Sequence, residues 1–167
     1  MAATELLLST DDIHPIDIVE TLATHHAWDF DRISDEQIAM AIEGSWRTYS
    51  MTLAWSGFDE TLRSICTFDM DPPEARWPEL YRTLDKANDK VWTGAFTFWE
   101  EQKLMVYRYG LNLVGEATAS AAQIDAIVQS SVTACERFYP AFQLVCWGNE
   151  KAETALEIAL TEAYGRA

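Results

Sequence analysis

The chain has 167 residues, with 12 basic against 27 acidic side chains and a formal net charge of -15. Its 49% apolar share, including seven Trp, six Tyr and seven Phe, excludes an intrinsically disordered chain, and the length fits one domain with a sizeable core. The acidic balance excludes the basic stripe with which proteins neutralise phosphates and would repel an anionic membrane, so neither nucleic acid nor membrane is expected as a partner.

The charge is uneven. Residues Met1 to Ser45 hold ten acidic side chains and a single base, Arg32. Such a field favours basic or amphipathic partner segments. Cys66, Cys135 and Cys146 form no ligand-spaced pair and no even disulfide set, so they read as small core residues in a reducing compartment. The apolar run Leu6 to Leu8 has acidic flanks and is far too short for a membrane span or a signal peptide. The expected location is the cytoplasm.

The first ten residues read as a loose or strand-like leader. His14-Pro15 then opens a helix, because proline at the first helical position lacks an N–H that would have no partner there. Ile16, Val19, Leu22 and Ala23 lie on one face of it, and the helix is expected to end near His26. From Trp28 the period falls to two. Trp28 to Ile33, then Ile38 to Glu43, then Trp46 to Trp55 and Leu62 to Phe68 alternate as strands, with Gly44-Ser45 and Ser56-Gly57 as turns. In the third of these, Tyr49, Met51, Leu53 and Trp55 form an apolar face, and Thr48, Ser50 and Thr52 form a hydroxyl face that Trp46 shares by parity.

Asp71-Pro72-Pro73 ends the meander. Glu74 to Trp92 shows helical spacing, with Trp77 and Trp92 read as core residues, and a second hairpin follows over Gly94 to Trp99 and Leu104 to Leu111. Ser120 is a good N-cap for a long apolar stripe from Ile124 to Cys146, which Pro140 is expected to kink or split near Tyr139. Gly148 ends it, and a further surface helix is expected over Glu150 to Tyr164. With no repeat and no low-complexity block, residues 1–167 read as a single domain.

Chemistry-bearing patterns are few. His25 and His26 are adjacent, so on a helix their side chains diverge by about 100° and do not share a metal as an i, i+4 pair does; imidazoles capping the free carbonyls at a helix end are the simpler reading. There is no nucleophile elbow, P-loop, dinucleotide fingerprint or EF-hand loop, and the acidic residues read as a solvated face. No catalytic residue, metal site or cofactor is expected. The sharpest surface signal is Trp46 beside Thr48, Ser50 and Thr52, an aromatic anchor on a face wet enough to await a partner.

The order helix, strand meander, helix, hairpin, long helix resembles the YbjN-like family, described as putative bacterial sensory transduction regulators, whose fold is similar to type III secretion chaperones. The resemblance rests on HPIDIVETLA, on the strand pair QIAMAIEG and WRTYSMTLAWSG, on the helix and hairpin from WPELYRTLDK to MVYRYGL, and on TACERFYPAF, and it spans about residues 13–147 with the last helix outside. It implies an α+β fold with an antiparallel sheet of five or six strands and helices mainly on one face. It also implies a cytoplasmic, non-enzymatic regulatory or chaperone-like protein that binds protein or peptide partners and pairs as a homodimer. The alternative is a small-molecule-binding or enzymatic α+β domain with a pocket between sheet and helices.

Overall fold

The computed structural model describes residues 13–165, so the leader read over the first ten residues lies outside the described residues. In chain order the elements are α1 (Pro15–His25), β1 (Asp29–Ser34), β2 (Gln37–Glu43), β3 (Thr48–Ser56), β4 (Thr61–Asp69), a 3-10 turn (Glu74–Arg76), α2 (Trp77–Asn88), β5 (Ala95–Trp99), β6 (Leu104–Asn112), α3 (Ala121–Cys146) and α4 (Ala152–Gly165). The six strands form one sheet in the order β1-β2-β3-β4-β6-β5. Every neighbouring pair is antiparallel, which gives the α+β architecture.

Strand periodicity fixes two faces, because directly paired residues share a side of the sheet. One row runs through Phe30, Met40, Met51, Cys66, Tyr107 and Phe96 across all six strands. All of these except Phe30 are buried. The helices pack on this row: Phe96 meets Phe138 and Phe142 of α3 with ring centroids 5.6 and 5.2 Å apart, and Phe68 meets Tyr139 at 5.4 Å. From α2, Trp77 stands edge-on to Phe98 at 5.5 Å. The Cys66 and Cys135 sulfurs touch at 3.7 Å inside this core, and all three cysteines are free thiols.

Three local readings are corrected. The second helix ends at Asn88 and not near Trp92, because the Asn88 side chain turns to β5, its Nδ2 donating to the Phe96 carbonyl (3.1 Å) and its Oδ1 accepting from the Phe96 N–H (2.7 Å). Trp92 falls in the following loop and is 96% exposed, not a core residue. Gly94, at φ +108°, then swings the chain into β5, and a Cβ there would lie 2.6 Å from the Arg108 carbonyl oxygen.

The third helix is not split. α3 runs unbroken through Pro140 for 26 residues. Its start is held by a capping box, in which Gln123 N–H donates to Ser120 Oγ (3.0 Å) and Ser120 N–H donates to Gln123 Oε1 (2.9 Å). Phe138, Tyr139, Ala141 and Phe142 are all buried around the proline. That packing outweighs the one hydrogen bond that proline cannot make.

Candidate protein-binding surface

The other face of the sheet carries different chemistry. One of its rows reads Asp31, Ala39, Thr52, Ile65, Arg108 and Ala95, and the next reads Asp29, Ala41, Ser50, Thr67, Val106 and Thr97. Thr48, paired with Glu43, continues the pattern. The hydroxyl residues Thr48, Ser50 and Thr52 therefore do share a face, with Thr48 and Ser50 exposed and Thr52 half-buried. Methyl groups and hydroxyls dominate its centre. Its charge is graded: Asp29, Asp31 and Glu43 lie at the β1–β2 side and Arg63 and Arg108 on β4 and β6, all exposed.

Trp46 is not part of that face. The strand begins at Thr48, and Gly44 to Arg47 form the turn between β2 and β3, closed by a bond from the Gly44 N–H to the Arg47 carbonyl (2.9 Å). The break in period releases Trp46 to the helix side, where its ring stacks on Tyr139 of α3 at 6.3 Å and stays 44% exposed. Parity counted from the strand fails once a turn intervenes.

What fixes this turn is a carboxylate from the far helix. Glu136 of α3 accepts from the Ser45 N–H (3.0 Å), the Trp46 N–H (3.3 Å) and the Tyr49 hydroxyl (2.6 Å). Gly44 leaves the room, since a Cβ there would sit 2.6 Å from Tyr49 Cε2 and collide with the carboxylate itself. Burial, and then the bond to Glu136, push the Tyr49 hydroxyl far above its ordinary value. Arg47 donates to the Asp69 carbonyl (2.6 Å) and lies over the Phe68 and Tyr139 rings at 5.9 and 5.8 Å. The corner is a rigid brace.

The histidines are also placed. The α1 C-cap is made by the His26 backbone N–H, which donates to Leu22, while the His26 ring reaches Asp125 (3.0 Å) and stacks on Trp28 at 4.4 Å. The imidazole of His26 thus serves a helix-to-helix contact and not the free carbonyls. His14 acts at the opposite end of α1, its Nδ1 accepting from the Ile16 N–H at 3.2 Å. Among the described residues no group of three or more His, Cys, Asp or Glu is set to hold a metal ion.

Between β6 and α3 lies a groove of about 220 Å³, lined by Thr93, Tyr109, Leu111, Ala126, Ile127 and Ser130. It is smaller than the ~300–1,000 Å³ usual for small-molecule sites, but an adjoining cavity of about 400 Å³, lined by Trp92, Thr93, Tyr107, Ala126, Ser130 and Phe138, falls within that range. Sequence periodicity gave no sign of the groove, because it depends on where β5 stops relative to β6. Among the described residues no helix is long and apolar enough to cross a membrane.

A family model, YbjN, described as "putative bacterial sensory transduction regulator", matches residues 15–144. No curated protein and no solved structure matches the chain.

Proposed function

This chain belongs to the YbjN family, and with that family's described regulatory role as premise we propose a non-enzymatic, cytoplasmic regulatory or chaperone-like domain that acts by binding a protein or peptide. The observation that carries this reading is the second face of the sheet. Its centre presents short hydroxyl and methyl side chains at Ala41, Ser50, Thr52 and Thr67, and the ring and sulfur contacts between helices and strands come from the opposite face. A surface of short side chains suits docking because little side-chain freedom is lost on contact.

Asp29, Asp31 and Glu43 border this centre on the same face. They select a basic or amphipathic partner and raise its on-rate. A partner isolated by crosslinking from the native cytoplasm and then purified gives the test. Ser50→Arg and Thr52→Arg are expected to weaken its binding by ~1–3 kcal/mol, the range of interface hot spots, with unchanged melting. Raising salt to ~0.5 M is expected to weaken it further, since exposed charges are screened over less than ~10 Å. Binding that ignores both arginines shows that the partner sits elsewhere.

A further inference from the structure

Open sheet edges are templates for added strands, and folded proteins block them. Here β1 carries Asp29 and Asp31 on its exposed edge strand, and β5 is closed by Asn88, which takes both backbone groups of Phe96. Beyond the part of the β5 edge that Asn88 covers, a further stretch lies open. β6 runs to Asn112, yet β5 reaches only Arg108, where Ala95 pairs.

The direction of the backbone groups in that stretch follows from Asn88. Since Phe96 turns its N–H and C=O outward, it forms a non-hydrogen-bonded pair with Tyr107, so Val106 and Arg108 bond to β5. By alternation the backbone groups of Tyr109 and Leu111 face β4, and those of Gly110 and Asn112 face the empty lane beyond Ala95. The Leu113 N–H, which donates to Glu60 next to β4 (2.8 Å), agrees with this phase. Among the described residues no backbone bond outside the regular elements involves Gly110 or Asn112.

The two sides of the lane differ. On the helix side lies the apolar groove of Tyr109, Leu111 and Ile127. On the open side lie Arg63, which stands in row with Gly110 but is already ion-paired with Asp59 (2.9 Å), and Arg108, which has no acidic partner within ion-pair distance among the described residues. Gly110 has no side chain to cover that side, and β5 begins only at Ala95, with Thr93 at the helix-side wall of the groove.

We propose that an extended peptide with alternating apolar and acidic residues adds to the sheet beside Gly110 to Asn112, its apolar side chains entering the groove against Leu111 and Ile127 and a carboxylate meeting Arg108. This rests on the reading of the chain as a protein-binding domain and names a second surface and its partner chemistry. Alternation is required by the strand, because a segment bonded to Gly110 sends successive side chains to opposite faces. The acidic choice is local: in a chain of net charge -15 Arg108 borders this lane without an acidic partner among the described residues, while Arg63 is held by Asp59.

The probes are an eight-residue peptide alternating Glu and Val, the same peptide with Lys for Glu, and a blocked arrangement of the same Glu and Val residues. Anisotropy titration is expected to rank the alternating acidic peptide about tenfold or more above both others. Amide exchange at Gly110 and Asn112 is expected to slow on binding while Tyr109 and Leu111 change little. Arg108→Glu reverses the preference between acidic and basic peptides, and Ala126→Trp, on the exposed face of α3, fills the groove and weakens both. Absence of binding, equal binding of all three peptides, unchanged exchange at Gly110 and Asn112, or indifference to both variants overturns the proposal. So does light scattering that shows a dimer released by Ala126→Trp, which assigns the lane to a second copy. Failure here with Ser50→Arg still abolishing partner binding leaves the sheet-face reading intact, and the converse pattern removes only that reading.

Discussion

Two donors from one turn and a third from the start of β3 converge on Glu136, and the geometry makes their loss unequal. The Ser45 and Trp46 N–H groups are exposed enough to turn to water, but the Tyr49 hydroxyl belongs to a residue with no exposed surface. Glu136→Ala therefore leaves a buried hydroxyl without its acceptor, at ~1–3 kcal/mol, and is expected to lower the urea midpoint accordingly. In the double variant with Tyr49→Phe, where donor and acceptor are both gone, much of that loss is expected to be absent. Additive losses in the double-mutant cycle would show that Glu136 acts only through the backbone N–H groups. The Trp46 ring is the reporter for this turn, since its stacking on Tyr139 depends on the same brace.

At the scale of elements, Pro140 is the clearest conflict between local preference and packing. Proline inside a helix is ~3 kcal/mol worse than alanine, and its stiffness in the unfolded chain returns only ~0.4–1 kcal/mol. Pro140 is only half-buried, so little packing is lost on replacement. Pro140→Ala is expected to stabilise the protein by about 1–2 kcal/mol in urea titrations; a loss of stability would mean that the ring itself packs. The same conflict explains what the sequence could and could not disclose. Alternation made β2, β3 and β4 readable because one face of each is buried, and it also made Thr48, Ser50 and Thr52 readable as a shared face. It misplaced Trp46 because periodicity does not mark where a strand gives way to a turn. It misplaced Trp92 because helical spacing continued past Asn88, whose side chain bonds to β5. The open lane beside β6 was unreadable for a similar reason: its vacancy depends on strand pairing and on Asn88 blocking the neighbouring edge.

For the whole molecule, the titrating groups shifted by folding predict an asymmetric dependence on pH. Burial is the leading cause that raises Tyr49, Tyr81 and Tyr107, with Tyr81 reaching about 12. The Cys146 thiol is also pushed up to about 12 by burial, and the Cys135 thiol rises through its contact with Cys66 and then burial. Each of these groups keeps its proton in the folded protein at a pH where the unfolded chain has released it. Their contribution is complete below the ordinary thiol value of 9.0 and is lost as pH rises toward the folded values. On the acid side, among the described residues, only exposed carboxylates are lowered: Asp59 from 3.8, mainly by its bond with Arg63, and Glu153 from 4.5, mainly by its own backbone N–H. Their support is present above those ordinary values and is lost as pH falls through the lower folded ones, but solvent screens it, while protonation relieves the repulsion of a chain at -15. The urea midpoint is therefore expected to hold from neutral pH down to about 5 and to fall steeply from about 9 to 11. Cys146→Ala is expected to flatten that alkaline fall, because it removes a proton that the folded state retains to about 12. A midpoint that stays level between pH 9 and 11, or a fall of equal slope in Cys146→Ala, would show that these buried groups open to solvent before the fold does.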